Sequence, residues 1–179
     1  MSAVDTLFES LAALEAHRRR PPVADWHPAR VGRIAIRIAA DGTWFHEGNP
    51  IRRPALVKLF ASILRRDPDG FCLVTPAERL LIEVDDAPFT AIDMEAQGQG
   101  SGQSLLFVTN VDDCVIADST HPIRVNDVDG GPRPYVMVRD GLEALIGRSV
   151  YYRLVERSVE EGVEAAVYSG GSRFVLGRF

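Results

Sequence analysis

The sequence has 179 residues, of which 46% are hydrophobic and 25% charged, and its formal net charge is −5. This composition is typical of a globular protein and excludes a disordered, collagen-like or coiled-coil chain. Nucleic-acid-binding domains usually carry a basic excess, so the acidic balance predicts no nucleic-acid partner. No apolar run approaches the roughly 20 residues of a membrane-spanning helix, and acidic residues interrupt the first segment, unlike a signal peptide. We therefore expect a cytoplasmic protein with no membrane partner.

Residues 1–30 are predicted to form an N-terminal helix followed by a linker. Apolar side chains recur at the helical spacing of one buried face between residues 2 and 17. Pro21 and Pro22 then end the helix, because proline disfavours helical backbone at the residue before it.

Residues 31–87 are predicted to form a first αβ repeat in the order β-β-α-β-β. Ile34, Ile36 and Ile38 alternate with polar or small residues, as in a half-buried strand, and a second strand follows the turn at residues 41–42. A helix is predicted to start at Pro54, where the missing N–H costs nothing. Strands at residues 71–75 and 79–84 complete this repeat. The predicted buried stripe of the helix consists of Leu56, Leu59, Phe60, Ile63 and Leu64.

Residues 88–118 are predicted to form a bridging β-hairpin segment, and residues 119–179 a second αβ repeat. Leu142, Leu145, Ile146 and Val150 lie at the offsets of the apolar positions in the first helix, about 86 residues later. This correspondence predicts a second helix over about residues 142–155, between two pairs of strands. A repeated order of elements at a nearly constant offset is typical of an internal structural repeat. We therefore predict an α+β fold with two tandem β-β-α-β-β repeats.

A group of reactive side chains lies at Asp112, Asp113, Cys114 and His121. A thiol with a histidine base is one arrangement for nucleophilic catalysis, and carboxylates with a histidine can bind a metal. Adjacent strand residues point to opposite faces, so the two aspartates of a regular strand cannot share one site. A hydrolase that uses Asp112, Asp113 and His121 is therefore retained only as an alternative.

Motifs with a specific chemistry are missing from the sequence. It has no H-E-x-x-H, P-loop, G-x-S-x-G or C-x-x-C pattern. The glycines at 98, 100 and 102 lie between two predicted strands without a lysine, which favours a hairpin loop over a phosphate-binding loop. We therefore expect no cofactor and no metal, and a non-catalytic protein is favoured over an enzyme.

Nine short segments together resemble the proteobacterial domain-of-unknown-function family 1285. The resemblance covers nearly the whole chain after residue 30. It implies a tandem-repeat α+β fold, in which each half carries a curved antiparallel sheet and a helix. Involvement in signal transduction or ligand sensing is also implied, and no catalytic residues are. The segments are residues 41–48, 50–51, 56–60, 73–76, 109–113, 121–125, 141–146, 151–152 and 169–171.

Two repeats placed side by side are expected to leave a groove, and a groove is the default place for a ligand. The favoured function is therefore a regulatory module that binds a small molecule or a peptide. The alternative is a protein-interaction or assembly module, including a homodimer, that uses a sheet edge. The candidate ligand-binding residues of the groove are Trp44, Thr75, Asn110, Asp113, Arg124 and Tyr151.

Overall fold

The computed structural model describes residues 20–179, so the predicted N-terminal helix over residues 2–17 lies outside the described residues. The chain divides into two compact units. The described part of the N-terminal unit comprises residues 20–88 together with Asp140–Leu142. The described part of the C-terminal unit comprises Phe89–Arg139 and Glu143–Phe179.

Over its described residues, the N-terminal unit contains one α-helix and six strands. They follow in the order β1 (Arg30–Ile38), β2 (Trp44–His46), β3 (Asn49–Pro50), α1 (Pro54–Ser62), β4 (Leu64–Asp67), β5 (Gly70–Val74) and β6 (Glu78–Val84). The strands form a single curled sheet in the spatial order β3-β2-β1-β6-β5-β4. Strands β1 and β6 pair in parallel, whereas the neighbouring pairs are antiparallel hairpins.

The core of this unit follows from the alternation in β1, where Ile36 and Ile38 are buried. Trp44 is buried on the adjacent β2 and stacks on Phe60 of α1, with 6.3 Å between the ring centroids. Helix α1 begins at Pro54 as predicted but ends at Ser62. The predicted stripe is therefore wrong in part: Leu59 is 59% exposed, and the two last positions of the stripe lie beyond the helix.

The C-terminal unit has a second curled six-stranded sheet, a helix and a small three-stranded sheet. The elements are β7 (Phe89–Gln97), β8 (Ser104–Thr109), β9 (Cys114–Ile116), β10 (Ile123–Val128), β11 (Gly131–Arg139), β12 (Leu142–Ile146), α2 (Arg148–Glu156), β13 (Val159–Glu161), β14 (Glu164–Ser169) and β15 (Ser172–Arg178). The larger sheet has the order β10-β11-β12-β7-β8-β9, and the smaller one β13-β14-β15. Strands β12 and β7 pair in parallel.

The core of the C-terminal unit lies under α2 and the larger sheet. Val150 and Leu154 are the buried residues of the helix, four positions apart on one face. Phe89, Phe107 and Val136 are almost fully buried on three strands of the larger sheet. Helix α2 therefore packs against the rest of the unit through this one apolar face.

The predicted α+β fold with tandem β-β-α-β-β repeats is wrong. Strands make up 52% of the structure, and residues 20–179 contain two α-helices. Each half instead has the element order β-β-β-α-β-β-β, over residues 30–84 and 123–178. Residues 142–146, predicted as helix, form β12, because Leu142, Ala144 and Ile146 also alternate at the strand period and are buried.

Over residues 20–179, no helix is long and apolar enough to cross a membrane. Within the same residues, no three His, Cys, Asp or Glu side chains are grouped so that they could hold a metal ion.

Candidate functional site

A cavity of about 420 Å³ lies in the C-terminal unit where α2 begins. Two tyrosines, Tyr151 and Tyr152, and two arginines, Arg133 and Arg148, are among the residues that line it. Small-molecule sites are mostly apolar concavities of about 300–1,000 Å³ with a few placed polar groups. The size and lining of this cavity fit that description. Its other lining residues are Gly130, Pro132, Pro134, Leu145, Ile146 and Gly147.

The start of α2 gives this cavity a positive end. Gly147 is the N-cap residue, and no side chain caps the helix. The first N–H groups of a helix have no partner within it, and they carry the positive end of the helix dipole. The side chain of Arg148, at the first helical position, is exposed. These groups favour an anion at this end of the cavity.

Tyr151 offers a neutral phenol to the same cavity. The side chain is half-buried. Burial, followed by the negative charge of Asp127, raises the pKa of Tyr151 above its usual value of 10.0. The hydroxyl therefore stays protonated at neutral pH and can donate a hydrogen bond. Tyr152 is 59% exposed, so its ring is open to contact at the rim.

Two of the six sequence-predicted ligand residues lie in the N-terminal unit and have structural contacts there. Trp44 is 1% exposed, and its Nε1 has no hydrogen-bond partner within the described residues. Thr75 closes the turn between β5 and β6: its Oγ1 accepts hydrogen bonds from the backbone N–H groups of Ala77 and Glu78 at 3.3 and 3.2 Å.

Asn110 and Asp113 shape the turn between β8 and β9. The Asn110 Oδ1 accepts from the Thr90 N–H at 3.0 Å, and the Asn110 N–H donates to the Thr90 carbonyl at 2.9 Å. Asp113 is 3% exposed and forms an ion pair with Arg139, whose guanidinium lies 5.0 Å from the centroid of the Phe89 ring. These contacts give Asp113 a structural partner in its own unit.

Arg124 forms a planar pair across the sheet. Its Nε and Nη2 donate to the two carboxylate oxygens of Glu143 at 2.7 and 2.6 Å. Its guanidinium carbon lies 4.2 Å from the centroid of the Tyr135 ring, the residue opposite on β11. Of the six predicted residues, Tyr151 is the one that lines the cavity at the start of α2.

The residues of the hydrolase alternative have different partners. The His121 Nδ1 lies 3.1 Å from the Asp118 carboxylate and 3.0 Å from the Thr120 hydroxyl. Burial raises the pKa of Asp118, but hydrogen bonds from Thr120 and His121 outweigh it and lower that pKa below 3.8. Asp112 is exposed and Asp113 is buried, so the two carboxylates face different surroundings.

Sequence reasoning missed the two arginines of the cavity. Arg133 is flanked by Pro132 and Pro134 in β11, and Arg148 directly follows the N-cap glycine. A glycine before a helix start and a basic residue after it is a weak signal of an anion-binding helix end. Using that signal requires the correct start of α2, which the predicted helix over residues 142–155 obscured.

Two family profiles match the chain. Residues 21–87 match "Domain of unknown function (DUF1285), N-terminal domain", and residues 88–176 match "Protein of unknown function (DUF1285), C-terminal domain". The comparison with curated proteins gave no match.

Two solved structures are similar to the chain. One is a DUF1285 family protein from Silicibacter pomeroyi DSS-3, with 47% identity over 94% of each chain and a TM-score of 0.86. The other is a DUF1285 family protein from Shewanella baltica OS155, with 28% identity over 69% of this chain and 92% of that one, and a TM-score of 0.55.

Proposed function

This chain belongs to the DUF1285 family, and we propose that it is a non-catalytic regulatory module that binds a small ligand in the cavity at the start of α2. The ligand combines an apolar ring with a carboxylate or phosphate group. The cavity itself carries this proposal, because two tyrosines, two arginines and a helix N-terminus without a side-chain cap meet at it.

Each half of the ligand has a matching part of the wall. A ring can stack on the exposed face of Tyr152, since tyrosine presents a large apolar surface with a polar edge. An anionic group can accept hydrogen bonds from Arg148, from the first backbone N–H groups of α2 and from the protonated Tyr151 hydroxyl. Binding in this way needs no reacting group, so the ligand is released chemically unchanged. The signal is the occupancy of the cavity.

Strand addition at a sheet edge is the function that the sequence offered as an alternative. The outer strand β13 of the small sheet is exposed along its three residues. Two of them are Glu160 and Glu161, and Glu161 accepts a hydrogen bond from Arg173 at 2.7 Å. Charged side chains on an edge strand oppose pairing with another strand, so the cavity supports a function better than this edge does.

The test is a calorimetric titration with phenylacetate, which carries a ring and a carboxylate. Arg148→Ala should weaken binding by about tenfold or more, because a hydrogen bond to a charged group is worth about 1.5–3 kcal/mol and 1.4 kcal/mol is tenfold. Arg52→Ala is the matched control, since Arg52 is an exposed arginine of the N-terminal unit. Phenethylamine, with the same ring and a positive charge, should bind more weakly than phenylacetate. Equal affinities for the two arginine variants would contradict the proposal.

A further inference from the structure

A second cavity, of about 350 Å³, lies at the other end of α2 in the same unit. Its lining is polar, and it consists of Gln99, Gly100, Gln103, Glu156 and Arg157. Helix α2 ends at Glu156, and nine helical residues span about 13 Å. The two cavities therefore lie at opposite ends of one helix, and their lining residues do not overlap.

Gln103 is the feature that distinguishes this cavity from an ordinary surface depression. Its side chain is 2% exposed. Its Oε1 accepts a long hydrogen bond of 3.4 Å from the Arg157 Nη1. Within the described residues, its buried Nε2 has no hydrogen-bond partner. Buried polar groups in folded proteins are almost always hydrogen-bonded, so this amide donor requires a partner that the described residues do not supply.

The backbone around Gln103 is held in place by its neighbours. The Gln103 N–H donates to the Gly100 carbonyl at 3.3 Å, and the Gln103 carbonyl accepts from the Gly170 N–H at 3.2 Å. Gly98 has a φ of +78°, and a Cβ there would lie 3.2 Å from the Gly102 carbonyl oxygen. Gly98 is thus packed closely against the turn that carries Gly100 and Gln103, two residues of the cavity wall.

The charges of the lining restrict the ligand. The Gln103 amide and the Arg157 guanidinium are donors, and they suit a carboxylate. Glu156 also lines the cavity, so a simple anion would be repelled by it, whereas an ammonium group would be attracted. We infer that this cavity is a second binding site that takes a small zwitterion of the α-amino-acid type. The carboxylate faces Gln103 and Arg157, and the ammonium faces Glu156.

The experiment is a titration of ¹⁵N-labelled protein with L-serine, followed through the Gln103 side-chain amide and the Gly100 backbone amide. Both signals should shift saturably. Acetate and ethanolamine each lack one charge, so each should bind at least about tenfold more weakly than L-serine. If L-serine does not move the Gln103 side-chain amide, or moves it no more than acetate does, the inference is overturned. In that case the Nε2 partner is a buried water molecule.

Two variants isolate the proposed contacts. Gln103→Met keeps the length of the side chain and removes the unpartnered donor, so the ligand-free variant should be at least as stable as the parent. Its affinity for L-serine should fall about tenfold or more. Arg157→Ala, at an exposed side chain, should have the same effect on affinity even if the methionine variant fails to fold.

The control is Arg148→Ala, which alters the first cavity and leaves the second untouched. This variant should retain its affinity for L-serine. A loss of L-serine binding in Arg148→Ala would place the zwitterion in the first cavity and overturn the second site. Retained binding would show that the second site is independent of the proposed function of the first cavity.

Discussion

Asp67 connects two arginines and a thiol in the N-terminal unit. Its carboxylate accepts hydrogen bonds from Arg65 at 2.8 and 2.9 Å and from Arg79 at 2.6 Å. The Cys72 Sγ lies 3.6 Å from the same carboxylate. These contacts, chiefly the hydrogen bond from Arg65, lower the pKa of Asp67 to about 2. Burial raises the pKa of the Cys72 thiol, so this cysteine is a packed, unreactive group.

Asp67→Asn should lower the free energy of unfolding by about 1–3 kcal/mol at neutral pH, because two largely buried guanidinium groups lose a charged partner. The folded-state pKa is below the unfolded value of 3.8, so the stabilisation is present above about pH 4 and is lost as the pH falls through about 2. Urea unfolding between pH 7 and pH 2 measures the difference. Asp25→Asn, at an exposed aspartate, should stay within about 0.5 kcal/mol of the parent; a pH-independent deficit for Asp67→Asn would contradict this assignment.

The ion-pair partners of two candidate ligand residues could not be predicted from local sequence. Arg124 and Asp113 have the chemistry of binding residues, but their partners Glu143 and Arg139 lie 19 and 26 positions further along the chain. Those partnerships depend on which strands become neighbours, and no local spacing encodes that. Tyr151, the candidate residue that lines the cavity at the start of α2, lies in the part of the predicted helix that is helical in the structure.

At the scale of elements, most strands follow from alternation in the sequence. Strands β7 and β8 form a hairpin within residues 88–118, the segment predicted as a bridging β-hairpin, and the predicted start of α1 at Pro54 is confirmed. The helix predicted over residues 142–155 failed at its first part. The sequence Asp140-Gly141 is typical of a two-residue hairpin turn, and both residues have positive φ, 45° and 79°. This turn predicts a strand at β12, whereas the spacing of the apolar residues over 142–150 predicts a helix.

The turn between β14 and β15 provides a test of close packing between elements. A Cβ on Gly170 would lie 2.8 Å from the Ala117 carbonyl oxygen and 2.8 Å from the Asp118 Cβ, whereas a Cβ on Gly171 would meet nothing within 4 Å. Both glycines have positive φ, 54° and 77°. An alanine at either position would therefore be in a strained backbone conformation, but only an alanine at Gly170 would also clash with its neighbours.

Gly170→Ala should destabilise the protein by roughly 1–3 kcal/mol more than Gly171→Ala, since only the first substitution forces the β9–β10 connection to move. Gly171→Ala measures the cost of the left-handed backbone alone, about 1 kcal/mol. Urea unfolding of both variants is the measurement. Equal losses of stability would mean that the turn does not pack on residues 117 and 118 in solution.

At the scale of the whole molecule, the two halves share an order of elements but pair their strands differently. In the N-terminal unit β1 pairs in parallel with β6, which joins β1–β3 and β4–β6 in one sheet. In the C-terminal unit the parallel partner of β12 is β7, and β13–β15 form a sheet of their own. The sequence predicted a repeat, but its constant offset matched residues of α1 to residues 142–146, which form β12. The strand pairing was not predicted, because it depends on competition between strands far apart in the chain.

This difference in pairing also positions the proposed site. The N–H of Gly147, directly after β12, donates to the Ala91 carbonyl of β7 at 3.1 Å. The connection places the start of α2 beside the β10–β11 hairpin, whose residues Gly130 and Arg133 line the same cavity. The cavity thus depends on the β7–β12 pairing. The sequence indicated Tyr151 as a candidate ligand residue, but it did not indicate the two arginines of the cavity.

The most direct test of the proposed ligand site is a map of phenylacetate binding on ¹⁵N-labelled protein. We expect saturable shifts at the backbone amides of Gly130, Arg133, Gly147, Arg148 and Tyr151, which line the cavity. Tyr152→Ala, at an exposed ring, should reduce those shifts without unfolding the protein. Saturable shifts confined to other residues, or no shifts in a folded sample, would contradict the assignment of this cavity as the binding site.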